Sequence, residues 1–429
     1  MNKSLTLRIL SLVFAAVMLL SLAACGGDDG KSSANSTDTR QDTSDGTGTA
    51  ENGDDAKAFE QNADGLYMIT SADDLIAFRD LVDEEIKANI ERGNNNNPGA
   101  EVGAILMADI DLSELCGEGI GNWRPIGITL NEEGYDVRGY YCGTFDGNGH
   151  SISGLYIKTE DSGGGFFGAL EQATVSNLTF KNCTLDCKYG LNDGKALKNP
   201  YFGTGAVAMY QIGGDVVNCA TDENSTVKGK YSVGGLVGLC DQYSKIESCK
   251  NYASVNSSEN GSEKANVGGI VGQCAGDSRV IGCENYGSVS CVESTFGGIV
   301  GLCTGQIFGC INYGDIVNGV DSAANMGGIA GYGETKIVYC VNAGNIIANG
   351  GSAYDIADKD SYVEQCINIG KVIDSSHGDK AYESARSTSC FNLESDSPEL
   401  TDGTLLEKLA DTYWVQGEKF PVWSGKLPY

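Results

Sequence analysis

The sequence contains only two histidines, His150 and His377, and it has neither an HExxH motif nor a CxxC pair. The missing HExxH motif excludes the chemistry of the common zinc metallopeptidases. The missing CxxC pair argues against a thiolate zinc site. No phosphate-binding P-loop and no Ser/His/Asp arrangement can be read from the chain. We therefore assign no catalytic residue, no cofactor and no metal from the sequence.

Basic residues are half as numerous as acidic ones, with 29 Lys and Arg against 58 Asp and Glu, and the net charge is −29. A surface that acidic repels nucleic acid and anionic lipid. We therefore expect no nucleic-acid partner. A link to a membrane would need a lipid rather than a basic patch.

An apolar run from Ile9 to Leu22 follows Lys3 and Arg8 and is too short for a comfortable membrane span. It ends in Leu-Ala-Ala-Cys at Cys25, which resembles the lipobox of bacterial lipoproteins. The resemblance implies a signal peptide over 1–25, a lipid on Cys25, and attachment to the extracellular side of the cell membrane. An ordinary secretory signal or an uncleaved anchor are the alternatives.

Residues 26–64 are nearly all Gly, Ser, Thr, Asp and Asn, a composition typical of disorder. As a flexible coil this tether would span on average roughly 30 to 40 Å. The folded part then begins near residue 65. Ser71 and Asp74 form a capping-box pattern, and apolar residues at helical spacing follow, which predicts a helix over about 71–92 that caps the next region.

A repeat occupies Val233 to Asn392. Each early unit carries a double glycine, at Gly234-Gly235, Gly268-Gly269, Gly297-Gly298 and Gly327-Gly328. A cysteine follows 12 to 14 residues after the second glycine, and an asparagine stands two residues after each cysteine. The cysteine column is Cys249, Cys283, Cys310, Cys340, Cys366 and Cys390, and the asparagine column is Asn251, Asn285, Asn312, Asn342, Asn368 and Asn392.

A period of 24 to 34 residues with fixed columns indicates a solenoid. The units lack the long helical periodicity of an all-helical repeat and are rich in Val, Ile, Gly and Asn, so short strands and turns fit better. Equivalent residues of a parallel coil stack about 4.8 Å apart. Stacked asparagines can then pass hydrogen bonds from coil to coil.

The segment Gly143-Thr-Phe-Asp-Gly-Asn-Gly-His150, followed by repeats such as Gly234-Gly-Leu-Val-Gly238, resembles the GLUG-motif proteins. These are right-handed parallel β-helix proteins of bacterial surfaces, and some carry the repeat beside metallopeptidases that cut immunoglobulin A. The resemblance implies an all-β fold, a right-handed single-stranded parallel β-helix over 65–400, with GLUG-like repeats over 163–392. The repeat is degenerate at 203–209 and lacks its double glycine at 352–356.

Fifteen cysteines remain besides Cys25. Recurrence once per coil favours small buried side chains, since neighbours in a ladder run parallel and suit disulfide geometry poorly. Cys240, Cys274 and Cys303 form a second column. Some disulfides, such as Cys240 with Cys249, or a metal site are the alternatives.

Residues 401–429 are predicted to form a C-terminal cap with a short helix and an aromatic tail that includes Trp414, Phe420 and Trp423. We expect a hydrophobic lid on the last coil, with an aromatic carbohydrate platform as the alternative. Asp109 with Asp111, and Asp358 with Asp360, could bind calcium weakly, but solvated edges are the simpler interpretation.

These features predict a non-enzymatic, lipid-anchored surface β-helix that binds a glycan or a surface protein. The alternative is a polysaccharide lyase or a glycoside hydrolase with clustered carboxylates beside an Arg or Lys on a lateral face. Whether the chain is an enzyme stays open at this stage.

Overall fold

The computed structural model describes residues 60–93, 99–131, 134–136, 139–160, 162–188, 203–257, 265–292, 295–319, 324–374, 387–388, 390–409 and 413–426. The chain divides into two compact units, Met1–Lys57 and Ala58–Tyr429, and every described residue lies in the second. Residues 60–64 form a turn at the start of the described part of the chain. Asn62 Oδ1 accepts hydrogen bonds from the backbone N–H groups of Asp64 and Leu66 at 2.9 and 3.0 Å.

Parallel strands wind into a solenoid, which confirms the predicted all-β fold. One coil contains the strands Gly203–Thr204, Ala208–Ile212, Asp215–Val217, Ala220–Thr221 and Thr226–Gly229. Each strand pairs in parallel with its equivalent in the next coil, so that coils stack in chain order. We number the five sheets 1 to 5 in the order in which this coil visits them.

Sheets 1 and 2 carry the double glycines and the strands that follow them. Sheet 1 contains Gly203–Thr204, Ser232–Gly234, Asn266–Gly268, Thr295–Gly297, Asn325–Gly327 and Ser352–Tyr354. Sheet 2 contains Gly99–Ala100, Tyr140–Tyr141, Phe167–Glu171, Ala208–Ile212, Val237–Asp241, Val271–Cys274, Val300–Cys303 and Ala330–Tyr332.

Sheets 3 to 5 complete each coil. Sheet 3 contains Tyr67–Ile69, Ala104–Leu106, Thr144–Asp146, Thr174–Ser176, Asp215–Val217, Lys245–Glu247, Arg279–Ile281, Gln306–Phe308, Lys336–Val338, Tyr362–Glu364 and Ser387–Thr388. Sheet 4 contains Ile110–Asp111, Ser151–Ser153, Thr179–Lys181, Ala220–Thr221, Lys250–Asn251, Glu284–Asn285, Ile311–Asn312, Val341–Asn342, Ile367–Asn368 and Phe391–Asn392. Sheet 5 contains Tyr156–Thr159, Thr184–Cys187, Thr226–Gly229, Ser254–Ser257, Val289–Cys291, Ile316–Asn318, Ile346–Ala348 and Val372–Asp374.

Both stretches in which the sequence repeat decays still form coils. Gly203–Thr204 and Ser352–Tyr354 occupy the two ends of sheet 1, in register with Ser232–Val233 and with Asn325–Gly327. The backbone pairing of the solenoid therefore continues where the sequence pattern fails.

The core is a set of stacked apolar columns. In sheet 3 one column is fully buried and consists of Val216, Ile246, Val280, Ile307 and Ile337. Burying each such side chain contributes about 1.5–3 kcal/mol, and β-branched residues fit the pleated surface. In the first coils the core becomes aromatic, with ring centroids of Phe166 and Phe167 4.9 Å apart.

Helix α1 spans Ala72–Glu91 and packs its apolar face on the first coils. Ser71 caps it, accepting from the N–H of Asp74 at 3.1 Å. Asp74 in turn accepts from the backbone N–H of Thr70 at 2.9 Å, one residue before the partner that a capping box would use. Phe78 enters the aromatic core with its ring 5.9 Å from that of Phe145.

The C-terminal segment, defined as residues 398–409 and 413–423, lies on a lateral face of the solenoid, whereas we expected a lid on the last coil. It contains the 3-10 helix Pro398–Leu400, helix α2 at Thr404–Leu409, and the antiparallel strands Trp414–Gln416 and Pro421–Trp423. A second two-stranded hairpin, Thr129–Asn131 with Gly134–Asp136, lies near the other end of the chain.

An apolar stripe of the solenoid explains this position. The outward side chains of Ile281, Phe308 and Val338 in sheet 3 are buried by the C-terminal segment, as are Ile311, Val341 and Ile367 in sheet 4. The same outward column holds Glu247 before the stripe and Glu364 after it. The segment therefore covers the coils in which the outer surface is apolar.

Within the described ranges, no helix combines the length and the apolar character that a membrane crossing requires.

Candidate ligand-binding surface

A column of asparagine side chains runs through the coils at sheet 4. Each side-chain Nδ2 donates to the Oδ1 of the next asparagine, from Asn251 to Asn285, Asn312, Asn342 and Asn368, at 2.8 to 2.9 Å. The same Nδ2 also donates to the backbone carbonyl two residues ahead, at 2.9 to 3.0 Å. Every amide in the column is therefore satisfied although it is buried.

The two ends of the column differ from its middle. Thr221, which the sequence pattern did not reveal, donates its hydroxyl to Asn251 Oδ1 at 2.6 Å and begins the column. Asn392 pairs with Asn368 through the backbone, but its side chain donates to Asp355 at 3.1 Å. The side-chain ladder thus runs from Thr221 to Asn368.

The double glycines and the asparagines belong to one packing unit. A Cβ atom on Gly269 would lie 2.3 Å from the side chain of Asn285, and one on Gly298 would lie 2.2 Å from that of Asn312. Both distances are too short for any other residue. The second glycine of each pair leaves the space that the amide column fills.

The cysteine column lies beside the asparagines. Its members from Cys249 to Cys366 are fully buried, and the N–H of Cys283, Cys310 and Cys340 each points at the sulfur of the next cysteine at 3.4 Å. Cys219, an unpredicted member, contacts Cys249 in the same way. Burial raises the pKa of Cys283 and Cys340 well above the ordinary thiol value.

All fifteen cysteines from Cys116 to Cys390 are present as free thiols, and only Cys142 and Cys390 are partly exposed. The second column, Cys240, Cys274 and Cys303, is fully buried in sheet 2. These sulfur atoms fill the core and face no solvent.

The residue after each of three ladder asparagines is a tyrosine, and these rings form a stack on the surface. The rings of Tyr252 and Tyr286 are 4.5 Å apart and 6° from parallel, and those of Tyr286 and Tyr313 are 4.6 Å apart and 11° from parallel. Phe420 of the C-terminal segment packs at 6.0 Å from Tyr313 and closes one end. Tyr252 and Tyr286 are each 37% exposed.

Charged groups border this stack. Lys250 Nζ lies 3.2 Å from Glu284 Oε2, and the Tyr286 hydroxyl donates to the same carboxylate. Burial, followed by the neighbouring Glu284, raises the pKa of Tyr286 above its ordinary value. Burial also raises the pKa of Tyr313. The hydroxyls of Tyr286 and Tyr313 therefore stay protonated at neutral pH. We call Tyr252, Tyr286, Tyr313, Lys250 and Glu284 the tyrosine surface.

The C-terminal tryptophans do not form an exposed platform. Trp414 is 4% exposed and packs 5.9 Å from Tyr339. Trp423 covers Gly309, where a Cβ atom would lie 2.3 Å from its ring. The solvent-facing aromatic row consists of tyrosines that we did not single out. The signal for it was present in the sequence, since Tyr252, Tyr286 and Tyr313 each follow a column asparagine.

One group on a lateral face has the composition expected for a polysaccharide-cleaving site. Lys245 lies 3.5 Å from Asp215 and 3.0 Å from Glu247 on the outer face of sheet 3. The hydrogen bond to Glu247 raises the pKa of Lys245, which disfavours the neutral form that a general base needs. These half-buried groups resemble a solvated ion-pair row.

A second group joins helix α1 to the solenoid. Arg124 pairs with Asp80 at 2.8 Å and with Asp83, and the Arg79 guanidinium lies 5.1 Å from the Trp123 ring centre. Burial raises the pKa of Asp83 despite this pairing. The position at the helix–solenoid junction fits a structural contact.

The acidic pairs considered for calcium make local hydrogen bonds. Asp109 accepts from the Ser151 N–H at 2.8 Å and Asp111 from the Ser113 N–H at 3.0 Å, and these bonds lower both pKa values. The buried Asp358 accepts from the Ser361 hydroxyl at 2.7 Å. Among the described residues, no three His, Cys, Asp or Glu side chains are grouped to hold a metal.

His150 places Nδ1 3.4 Å from Asp109 Oδ1 in the turn before sheet 4. Cys25 and His377 lie outside the described residues.

Comparisons with known proteins give likeness of fold. No protein-family model matches the chain. A stretch of 139 residues, 31% of this chain, is 31% identical to halomucin of Haloquadratum walsbyi (strain DSM 16790 / HBSQ001), and it spans 1% of that protein.

Two solved structures are similar in backbone. One is a candidate immunoglobulin A1 protease from Bacteroides ovatus, with 18% identity, a TM-score of 0.49, and coverage of 86% of this chain and 94% of that one. The other is an IgA1 protease, with 18% identity, a TM-score of 0.46, and coverage of 71% of this chain and 22% of that one. At these identities, no activity of either protein is carried to this chain.

Proposed function

We propose that this chain is an exported, lipid-anchored protein of the cell surface whose solenoid binds a neutral extracellular glycan through the tyrosine surface. The observation that carries the proposal is the exposed stack of Tyr252 and Tyr286 beside the Lys250–Glu284 pair. The proposal includes GLUG-type repeats, for which the spacing of double glycine, cysteine and asparagine is the support.

The ring edges and hydroxyl groups of the stack suit a carbohydrate. Along the coil axis the stack presents a ring edge and a hydroxyl group about every 4.5 Å, so that apolar and hydrogen-bonding groups lie side by side. Lys250 and Glu284 add a donor and an acceptor for hydroxyl groups. A net charge of −29 disfavours polyanionic glycans, so the ligand is neutral.

A protein partner fits the described surface less well. Stable protein interfaces need a contiguous apolar core. The exposed large apolar side chains in the described ranges are Met107, Ile120, Tyr243, Tyr252, Tyr286, Tyr362, Ile373 and Val415, and among them Tyr252 and Tyr286 form the ring stack. Half of them are tyrosines, whose polar tips favour a hydroxyl-rich ligand.

The anchor is the second part of the proposal. The run Ile9 to Leu22, the Cys25 that follows it and the polar tether support lipidation at Cys25. We expect the native chain to incorporate radiolabelled palmitate and to sediment with membranes, and Cys25→Ala to do neither. Palmitate incorporation into Cys25→Ala would contradict this assignment.

The glycan test uses affinity electrophoresis and calorimetry with a panel of neutral polysaccharides. Each Tyr→Ala change at positions 252 and 286 should weaken binding about tenfold, because one lost aromatic contact is worth about 1–1.5 kcal/mol. Tyr243→Ala and Tyr362→Ala are matched controls, since these tyrosines are 75% and 44% exposed but lie elsewhere.

Three results would overturn the proposal. The first is glycan binding that the Tyr252 and Tyr286 variants leave unchanged. The second is no binding by the folded protein across the panel. The third is release of reducing ends or of unsaturated products from any polysaccharide, which would make the chain an enzyme.

A further inference from the structure

A cavity of about 290 Å³ opens on the first coils, on a different part of the chain from the tyrosine surface. One wall is the loop 113–120, and the other walls are the chain around Gly154–Tyr156 and around Asn182–Thr184. The volume is at the lower end of the range for small-molecule sites. The cavity therefore suits a single small ring better than a polymer.

The loop that forms the wall is held in place by hydrogen bonds. Gly117 and Gly121 bond to each other in both directions, with N–H···O distances of 2.9 and 3.1 Å, so that the loop tip closes on itself. Cys116 makes two hydrogen bonds. Its backbone N–H donates to the Leu112 carbonyl at 2.9 Å, and its thiol donates to the Gly154 carbonyl at 3.4 Å. The wall is thus built before any ligand arrives.

The far end of the loop is fixed to sheet 5. The Asn122 side chain donates to the Lys158 carbonyl at 2.8 Å and accepts from the Lys158 N–H at 2.7 Å, as a neighbouring strand would. The backbone N–H of Trp123 donates to the Tyr156 carbonyl at 2.8 Å. Preorganisation of this kind lowers the entropic cost of binding.

The lining combines an apolar side with polar groups that have no internal partner. Ile120 at the loop tip is 58% exposed and forms the apolar side of the cavity, whereas Leu155 behind the lining is fully buried. The side chains of Glu118, Asn182 and Thr184 line the cavity, and they make no hydrogen bond within the described part of the chain. A carboxylate, an amide and a hydroxyl are therefore available to a ligand.

We propose that this cavity binds one neutral monosaccharide unit, with the C–H face of the ring on Ile120 and its hydroxyls on Glu118, Asn182 and Thr184. The carboxylate of Glu118 accepts from ring hydroxyls and excludes acidic sugars by charge repulsion. The site is independent of the tyrosine surface, so either can fail without the other.

Saturation-transfer NMR on the full chain tests the site with D-glucose, D-galactose, D-mannose and N-acetyl-D-glucosamine as neutral probes and D-glucuronate as the acidic one. We expect at least one neutral sugar to bind with Kd on the order of 1 mM, the range for so few contact atoms. D-Glucuronate should give no signal.

A filling variant and a matched control locate the binding. In the Tyr252→Ala/Tyr286→Ala background, which removes the tyrosine surface, Thr184→Phe places a ring in the cavity from an exposed strand position and should abolish the signal. Thr226→Phe makes the same change one coil later, at the residue paired with Thr184, and should leave binding intact. Ile120→Asp is a second variant, on the loop, that should also abolish binding.

Loss of signal in Thr184→Phe and Ile120→Asp, with Thr226→Phe and the double variant Tyr252→Ala/Tyr286→Ala still binding, supports the site. Absence of signal from all four neutral sugars with folded protein would overturn it. So would a signal that survives Thr184→Phe in the Tyr252→Ala/Tyr286→Ala background with circular dichroism unchanged.

Discussion

At the scale of single residues, the asparagine column shows how a polar group is buried without loss. Each amide from Asn251 to Asn342 uses both donor hydrogens, one on the next asparagine and one on a backbone carbonyl, and its oxygen accepts from the previous coil. In this low-dielectric setting an unpaired amide would cost several times what a paired one contributes.

Asn312→Ala should therefore destabilise the protein by about 2–4 kcal/mol, because it removes the side-chain partner of one Asn285 N–H, of the Asn342 oxygen and of the Gly314 carbonyl. The measurement is the urea midpoint of the folded chain. Asn392→Ala is the control, since Asn392 is exposed and its side chain lies outside the ladder, and it should cost about 0.5 kcal/mol or less. Equal effects for the two variants would contradict the ladder argument.

Thiol reactivity tests burial of the cysteines. Iodoacetamide at pH 8 should modify only Cys142 and Cys390 among the described cysteines of the folded chain, since the others are buried. Burial raises the pKa of Cys142 to about 12, so its rate should rise about tenfold per pH unit from pH 7 to 10. Peptide mapping by mass spectrometry measures both the labelled positions and the rate at Cys142, with the urea-unfolded chain as the fully labelled reference. Rapid labelling of Cys283 or Cys310 at pH 8 would contradict the described packing.

At the scale of elements, the strand columns explain both what the sequence predicted and what it missed. Valine, isoleucine and glycine at a fixed period predicted parallel coils, because every inward position has the same surroundings in each coil. The docking of the C-terminal segment on a lateral face was not predicted, although the sequence contains a pattern that indicates it. The outward positions Ile281, Phe308 and Val338 are apolar in three successive coils, where Glu247 and Glu364 stand on either side.

Trp414→Ala should release the C-terminal segment while the coils stay folded. A buried tryptophan that packs on Tyr339 contributes about 3–5 kcal/mol to its local contacts. Limited proteolysis of this variant should then cut between residues 398 and 423 at least tenfold faster than in the native chain. Val415→Ala changes the next residue of the same strand, which is 46% exposed, and should leave the rate unchanged. An unaltered proteolytic pattern in Trp414→Ala would contradict the docking described above.

At the scale of the whole molecule, the fold class followed from the sequence, but the places where a ligand could bind did not. The tyrosine surface depends on register between coils. Its Tyr313 packs against Phe420, which lies more than a hundred residues later in the chain. The cavity near Ile120 depends on one irregular loop outside the repeat. Periodicity describes the repeating part of a solenoid and carries no information on such single insertions.

Helix α1 supports the whole stack because it covers the start of the solenoid. A chain that begins at residue 99 lacks the helix and loses the cover that Phe78 provides for Tyr141 and Phe145. We expect this chain to bind the dye ANS and to aggregate, whereas a chain that begins at residue 58 should do neither. Light scattering and ANS fluorescence compare the two chains. A chain from residue 99 that stays soluble and binds no ANS would show that the helix is dispensable.

The amide column also has a consequence for the history of the protein. Its rungs are interchangeable, because each presents one oxygen to the coil before and one NH₂ group to the coil after. Duplication or deletion of one unit anywhere between Asn251 and Asn368 would leave every hydrogen bond of the ladder in place. The length of this protein can therefore change in steps of one coil, about 4.8 Å each, without a search for new side-chain partners.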